Sequence, residues 1–258
     1  IGDGESGGGL GHWAILVDCS QVDQKKDVFS IRYRMVICSL CFQACNMSLH
    51  YPHAHPPLAG QQFEVAPGIY WLRMPLPFQL NHINLWLLRD GDGWTIVDTG
   101  FANDAVRDIW RPLIAGLDGP VHRLIVTHFH PDHLGLATWL MEETGAQLWM
   151  TSGEFLTAHV VWNEVGGHGA RFMVEQFRQH GLEAERLAKF EKRGSGYRMA
   201  VPALPEHYHR LKAGDTVAVD GKKWRILIGH GHSPEHMALY CAELGVLISG
   251  DMLLPKIS

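Results

Sequence analysis

The chain has 258 residues, 46% hydrophobic and 19% charged, with a formal net charge of −5, so it carries enough apolar material for one large domain or two small ones. The acidic balance and the absence of a long lysine/arginine run argue against a nucleic-acid partner, and no apolar run reaches the ~20 residues that span a bilayer. A cytoplasmic protein is the expectation.

The first 46 residues differ from the rest. They open on the glycine-rich "IGDGESGGGLG", lack a signal-peptide pattern, and hold four of the five cysteines, Cys19, Cys38, Cys41 and Cys45. The trio in "CSLCFQAC" has no fourth partner at knuckle spacing, which disfavours a metal knuckle. Position 1 is not methionine, and composition changes after Met47. Residues 1–46 therefore read as an atypical, poorly ordered N-terminal extension, and 47–258 as the folded domain.

From about residue 62 the pattern is regular. "FEVAPGIYWLRM" reads as a strand, and "NHINLWLLRDGDGWTIVDTG" as a strand pair joined at "DGDG". "NDAVRDIWRPLIAGL" has helical spacing behind an Asn cap. "HRLIVT" is a short buried strand, "PDHLGLATWLMEETG" a helix with proline at its first position, and "AQLWMT" another strand. Residues 152–212 break the alternation and read as a mostly helical insertion or cap. Its aromatics Trp162, Phe172, Phe177, Tyr197 and Tyr208 either wall a cleft or pack among themselves. Strands resume with "DTVAVDGKKWRILIGHG", "MALYCAEL" and "GVLISGD", with Cys241 as a packing residue. Strands interleaved with helices predict an α/β layered architecture.

Histidine is the commonest metal-ligating side chain, and three of the 17 present fall within six residues of "HFHPDH". His128 and His130 stand two apart, so in an extended segment they project the same way. Asp132 and His133 follow on the first helical turn. Imidazole with carboxylate suits zinc, with iron or manganese as alternatives. A single histidine here would read as a surface residue, and Asp132 alone as a helix N-terminal charge; the density favours one or two metal ions. "GHGHSPEH" adds His230, His232 and His236 after a later strand, and Asp98 and Asp251 each end an apolar strand.

The series "TIVDTG", "THFHPDHLG", "GHGHSPEH" and "ISGD" resembles the metallo-β-lactamase-fold metallohydrolases over roughly residues 62–258, nearest the glyoxalase II and lactonase-like branch. The resemblance implies an αββα four-layer sandwich with metals at one edge of its two sheets. It implies that His128, His130 and His232 hold a first metal, that Asp132 and His133 bind a second, and that Asp251 bridges both. Asp98 would support the ligand loop, and His230 and His236 would stand behind the ligands. Glu235 occupies a position where many relatives have glycine, so the local backbone is expected to differ. The resemblance also implies a late histidine ligand and further C-terminal elements. No histidine lies beyond His236, and the chain stops seven residues after Asp251, so a C-terminally truncated domain is expected.

The chemistry implied is attack by a zinc-bound hydroxide on an ester, thioester or lactone. Asp132 would orient the nucleophile and shuttle a proton, with Asp251 as its catalytic partner. Flavodiiron oxidoreductases share the fold but carry glutamate where His130 stands. A mono-iron persulfide-dioxygenase-like oxidoreductase and an inactive metal-binding fragment are the remaining alternatives.

Overall fold

The computed structural model describes residues 52–254, apart from 54, 194 and 195. The expectations for residues 1–46, including the cysteine trio, lie outside the described residues.

Seven strands form one sheet in sequence order: β1 (Phe63–Ala66), β2 (Ile69–Pro75), β3 (His82–Asp90), β4 (Gly93–Val97), β5 (Val121–Ile125), β6 (Gln147–Thr151) and β7 (His209–Leu211). A second sheet has the order β11-β10-β9-β8, from β8 (Thr216–Val219), β9 (Lys222–Gly229), β10 (His236–Cys241) and β11 (Val246–Ile248). Strands β1 to β4 pair antiparallel through short turns. From β4 onward the pairing is parallel, because helical crossovers return each strand in the same direction. The crossovers are α1 (Asp104–Ala115), then α2 (Pro131–Leu134) with α3 (Ala137–Thr144), then α4 (Ser152–Trp162), α5 (Ala170–Gln179), α6 (Ala184–Arg193) and α7 (Tyr197–Ala200).

Every residue of β4 is buried, as expected of a strand covered on both faces. On one face Leu72, Leu85, Leu87, Ile96 and Leu124 meet Val106 and Trp110 of α1 and Leu140 of α3. On the other, Trp71, Trp86, Val97 and Ile125 meet Trp224, Ile226, Met237, Leu239 and Ile248 of the smaller sheet. The buried indoles keep polar partners: Trp110 Nε1 donates to the Thr99 carbonyl at 2.9 Å and Trp71 Nε1 to Asn84 Oδ1 at 2.8 Å. Helix α1 starts where the sequence places it, with the Asn103 side chain accepting from Val106 N at 2.9 Å.

The fold is the layered α/β arrangement that the sequence implies. Three of the four expected layers lie within the described residues: helices, larger sheet, smaller sheet. The hydrophobic clusters set helices against the larger sheet only, and Lys223 and Arg225, on the outer face of β9, are exposed.

Three local expectations change. The stretch "FEVAPGIYWLRM" is a hairpin, β1 and β2, turning at Pro67-Gly68. The helix expected from Pro131 onward is broken after Leu134. Thr99 causes the break: its N–H and Oγ1 both donate to the His133 carbonyl, at 2.8 and 2.7 Å, and its Oγ1 accepts from Leu136 N at 3.2 Å. Those are backbone groups a continuous helix would pair internally. Finally, the helical insertion ends earlier than residue 212, because His209–Leu211 pairs with β6 as the last strand of the sheet.

Candidate metal centre

Four strand ends meet at one edge of the two sheets. β4 ends before Asp98, β5 runs into Thr127 and His128, β9 leads through a turn to His236 at the start of β10, and β11 leads to a 3₁₀ turn, Gly250–Met252, that carries Asp251. A backbone bond from Met237 N to the Thr127 carbonyl, 2.9 Å, ties the sheets together there.

His128 Nε2, His130 Nδ1 and His232 Nε2 form a near-equilateral triangle. The edges are 3.0 Å from His128 to His130, 3.1 Å from His128 to His232 and 3.0 Å from His130 to His232. Three ring nitrogens aimed at one another cannot all be hydrogen-bonded pairs. Ligands about 2.0–2.1 Å from a tetrahedral zinc stand about 3.3 Å apart, close to these edges. A second group, His128, His133 and Asp251, is also spaced for a metal. Asp251 Oδ1 is 3.4 Å from His133 Nε2, and Asp251 Oδ2 is 3.4 Å from His232 Nε2 and 4.0 Å from His128 Nε2. Asp132 Oδ2 lies 3.8 Å from His133 Nε2. That nitrogen is buried and makes no hydrogen bond among the described residues, an orphan expected of a side chain shaped to take a cation. The donor set fits a metal ion.

Asp98 organises the inner side. Its carboxylate accepts from Thr127 N at 2.8 Å, from Thr127 Oγ1 at 3.0 Å and from His133 Nδ1 at 2.8 Å. Because the Thr127 hydroxyl spends its one proton on Asp98, it accepts at 3.0 Å from His128 Nδ1. That tautomer leaves His128 Nε2 with its lone pair facing the triangle. Carboxylate-backed imidazoles of this kind hold metal ligands in orientation.

His236 is buried against His128, the ring centroids 4.5 Å apart and the planes 28° off parallel, and its Nε2 accepts from Asp251 N at 3.1 Å. Gly250 has φ +50°, and a Cβ there would stand 2.6 Å from His236 Cε1, so the turn that presents Asp251 requires glycine. His230 is not part of this group. It is exposed and bonds the Pro234 carbonyl at 2.6 Å across its own turn. The mouth opens on the His232 side, where that side chain is 32% exposed against 17% for Asp251.

Charge in the metal-free centre is unevenly shared. Burial, followed by the neighbouring imidazoles, lowers His128 well below the usual histidine range. Burial and the His232 charge hold His130 at about 4, and burial with the His133 charge holds His236 at about 3. His133 runs the other way: burial opposes its charge, but Asp98, Asp251 and Asp132 outweigh burial and raise it well above the usual value. Asp251 is pulled down against burial by His133, His232 and His236.

A stability profile follows. An unfolded histidine titrates near ~6.5, so as pH falls below this the unfolded chain binds protons at positions 128, 130 and 236 that the native chain refuses. The metal-free chain is thus expected to lose stability from pH ~6.5 down to ~4. The His133 contribution is full below ~6.5 and is lost as pH rises through its raised native value. Thermal melts in chelator across pH 4–10 check both limbs; a curve flat on the acid side would contradict the neutral trio.

The sequence reading missed Thr127, Glu154 and the Tyr197 hydroxyl. Tyr197 Oη donates to the Phe129 carbonyl at 2.6 Å. Of the insertion aromatics it is the one that bonds the ligand loop: Trp162 donates to the Val201 carbonyl, Tyr208 to Ser152 Oγ, and Phe177 packs on Phe190. Glu154 had one available signal, the pattern "TSGE", which reads as S/T-x-x-E at a helix start.

Comparison with known proteins agrees with this geometry. The family model of the metallo-beta-lactamase superfamily matches residues 79–258. A probable metallo-hydrolase, YqjP, of Bacillus subtilis is 24% identical over 199 residues, 72% of this chain and 57% of the relative. The hydroxyacylglutathione hydrolase GloC of Haemophilus influenzae is 28% identical over 176 residues, 68% of each chain. In solved structures, a beta-lactamase domain protein from Burkholderia ambifaria is 46% identical with a TM-score of 0.67, over 80% of this chain and 60% of that one. A metallo-beta-lactamase family protein from Thermus thermophilus is 34% identical with a TM-score of 0.63, over 76% of this chain and 62% of that one. A Caenorhabditis elegans relative, a beta-lactamase-like protein 2 homolog, is matched over 47% of its length, so the chain spans about half to two-thirds of several of these proteins. No helix among the described residues is long and apolar enough to cross a membrane. With a family match across most of its length and histidine and aspartate groups set for metal binding at the sheet edge, the chain belongs to the metallo-beta-lactamase superfamily.

Proposed function

We propose that the chain is a zinc-dependent hydrolase of a small ester, thioester or lactone. The observation that carries this reading is Asp251, whose two oxygens face separate donor groups, His133 on one side and His128 with His232 on the other. The hydrolase names of the Bacillus and Haemophilus relatives support it, and the latter's hydroxyacylglutathione substrate is a thioester.

His128, His130 and His232 would hold one ion, and His133, Asp132 and Asp251 a second. Zinc in such a site supplies a water acidic enough to be hydroxide near neutral pH and a Lewis acid for the substrate oxygen. The protein's part is orientation and proton management. Asp132, a partly exposed carboxylate on the first turn of α2, would take a proton from the attacking water through the oxygen not turned towards His133 and pass it to the leaving group. His133 gives up its Nε2 proton when a cation binds, while Asp98 keeps its Nδ1 proton in place. Asp251 is held by the His236 ring through its backbone N–H, so its carboxylate stays between the two groups.

The test is hydrolysis of a thioester, lactone and phenyl ester panel by chain stripped of metal and reloaded with zinc, alongside elemental analysis. Zinc-restored turnover of at least one class is expected. Iron as the bound metal, with oxygen consumption in place of hydrolysis, would favour an oxidoreductase and overturn the proposal.

A further inference from the structure

We infer that Glu154 and Glu235 form a clasp that positions the metal-ligand loops and couples them to the helical insertion; this rests on the metal reading above. Glu154 is a fully buried carboxylate on α4, and neither oxygen faces the metal triangle. Its Oε2 accepts from Phe129 N, the residue between His128 and His130, at 2.9 Å. Its Oε1 accepts from Ser233 Oγ at 2.7 Å and Glu235 N at 2.6 Å, beside His232. One carboxylate therefore grips the backbone of both loops that bring the three imidazoles together.

The helix start shows how local preference is set aside for this. Thr151-Ser152-Gly153-Glu154 has the capping-box pattern, in which Thr151 and Glu154 would satisfy each other's N–H groups. Here Thr151 is the N-cap but makes no side-chain capping bond. Its hydroxyl donates to the Glu235 carbonyl at 3.0 Å. Glu154 turns to the loops, and the helix is capped from outside by Glu235 Oε2, which accepts from Gly153 N at 2.6 Å. Gly153 permits this approach, since a Cβ there would lie 2.8 Å from Glu235 Cγ. Glu235 thus reciprocates with Glu154: each carboxylate accepts from backbone on the other's segment. With Tyr197 Oη on the Phe129 carbonyl, both backbone groups of Phe129 are held by the insertion. Removing the insertion's grip would leave buried donors unpaired and free His130 and His232 to drift from their 3.0 Å contact.

Glu154→Gln tests this, because it keeps size and burial but sets an amide donor against a backbone N–H. Cobalt(II) is the probe, since its visible bands report ligand geometry independently of turnover. Glu154→Gln is expected to weaken cobalt binding by about 10–100-fold, to change the visible spectrum, and to speed amide exchange at Phe129 and Glu235 in the metal-free chain. Val174→Ala, which truncates a buried residue of α5 away from the clasp, should lower the melting temperature but leave cobalt affinity and spectrum as in wild type. If Glu154→Gln does not fold, Ser233→Ala removes only one donor and should move the same readouts less in the same direction. Wild-type affinity and spectrum in Glu154→Gln, or in Ser233→Ala where it stands in, overturns the clasp, as does an equal loss in Val174→Ala. Failure of the wild type itself to take up cobalt would instead overturn the metal reading on which the clasp depends.

Discussion

His128→Ala is expected to abolish tight metal uptake at the histidine triangle, to weaken the neighbouring group and to reduce hydrolysis to background. His128 Nε2 is a donor of the triangle with His130 and His232 and also stands within donor distance of His133 and Asp251, so its loss removes a ligand of the first group and disturbs the packing of the second. Its ring is fully buried, backed by Thr127 and stacked on His236, so no solvent-side residue can swing in to replace it. The loss should exceed the ~10–100-fold typical of partners behind the ligands, because a donor atom is removed rather than reoriented. His130→Ala should abolish uptake at the triangle only, since His130 is absent from the second group. Elemental analysis and calorimetric titration of both variants check this. Wild-type stoichiometry in His128→Ala would end the assignment.

Asp98→Ala is expected to cost about 3–5 kcal/mol, the scale for removing one partner of a buried ion pair. His133 and Asp98 are both buried, 2.8 Å apart, and the substitution also orphans Thr127 N–H, itself worth about 1–3 kcal/mol when left unsatisfied. Alanine further disfavours the left-handed φ of +62° at this position, which aspartate and asparagine tolerate better. At about 2–4 °C per kcal/mol for a domain of this size, melting should fall by about 6–20 °C. Asp98→Asn separates the parts. It keeps the backbone conformation and one acceptor for Thr127, but presents an amide donor to His133 Nδ1. Only the part due to Thr127 and the backbone should return, about 1–3 kcal/mol, while the ion-pair part stays lost and metal affinity stays reduced by about 10–100-fold. Thermal melts with and without chelator decide this, and an Asp98→Ala chain melting within ~2 °C of wild type would contradict the pairing.

Much of the site was legible because its chemistry is local. A strand of apolar residues running into "HFHPDH" fixes which way two imidazoles two residues apart project, and Pro131 at a helix start fixes the turn that carries Asp132 and His133. The break after Leu134 was not legible, because Thr99, which takes the helix's own hydrogen bonds, comes from the end of a different strand. Nor could spacing rank His230 against His236. Both flank His232 in one glycine-flanked stretch, yet His236 opens β10 facing inward and His230 stays in the exposed turn.

Sequence by itself determined the donor types, their order along the chain and the α/β alternation that sets them at strand ends. Tertiary structure decided which donors converge, and that a carboxylate on the inserted helix braces them. Glu154 stands 25 residues from Phe129 and 81 from Glu235 along the chain, so no local pattern records their meeting. A side chain's periodicity and capping preference are set by its immediate neighbours. Its hydrogen-bond partners are chosen only when two sheets and a helix exclude water around it and leave each buried donor an acceptor to find.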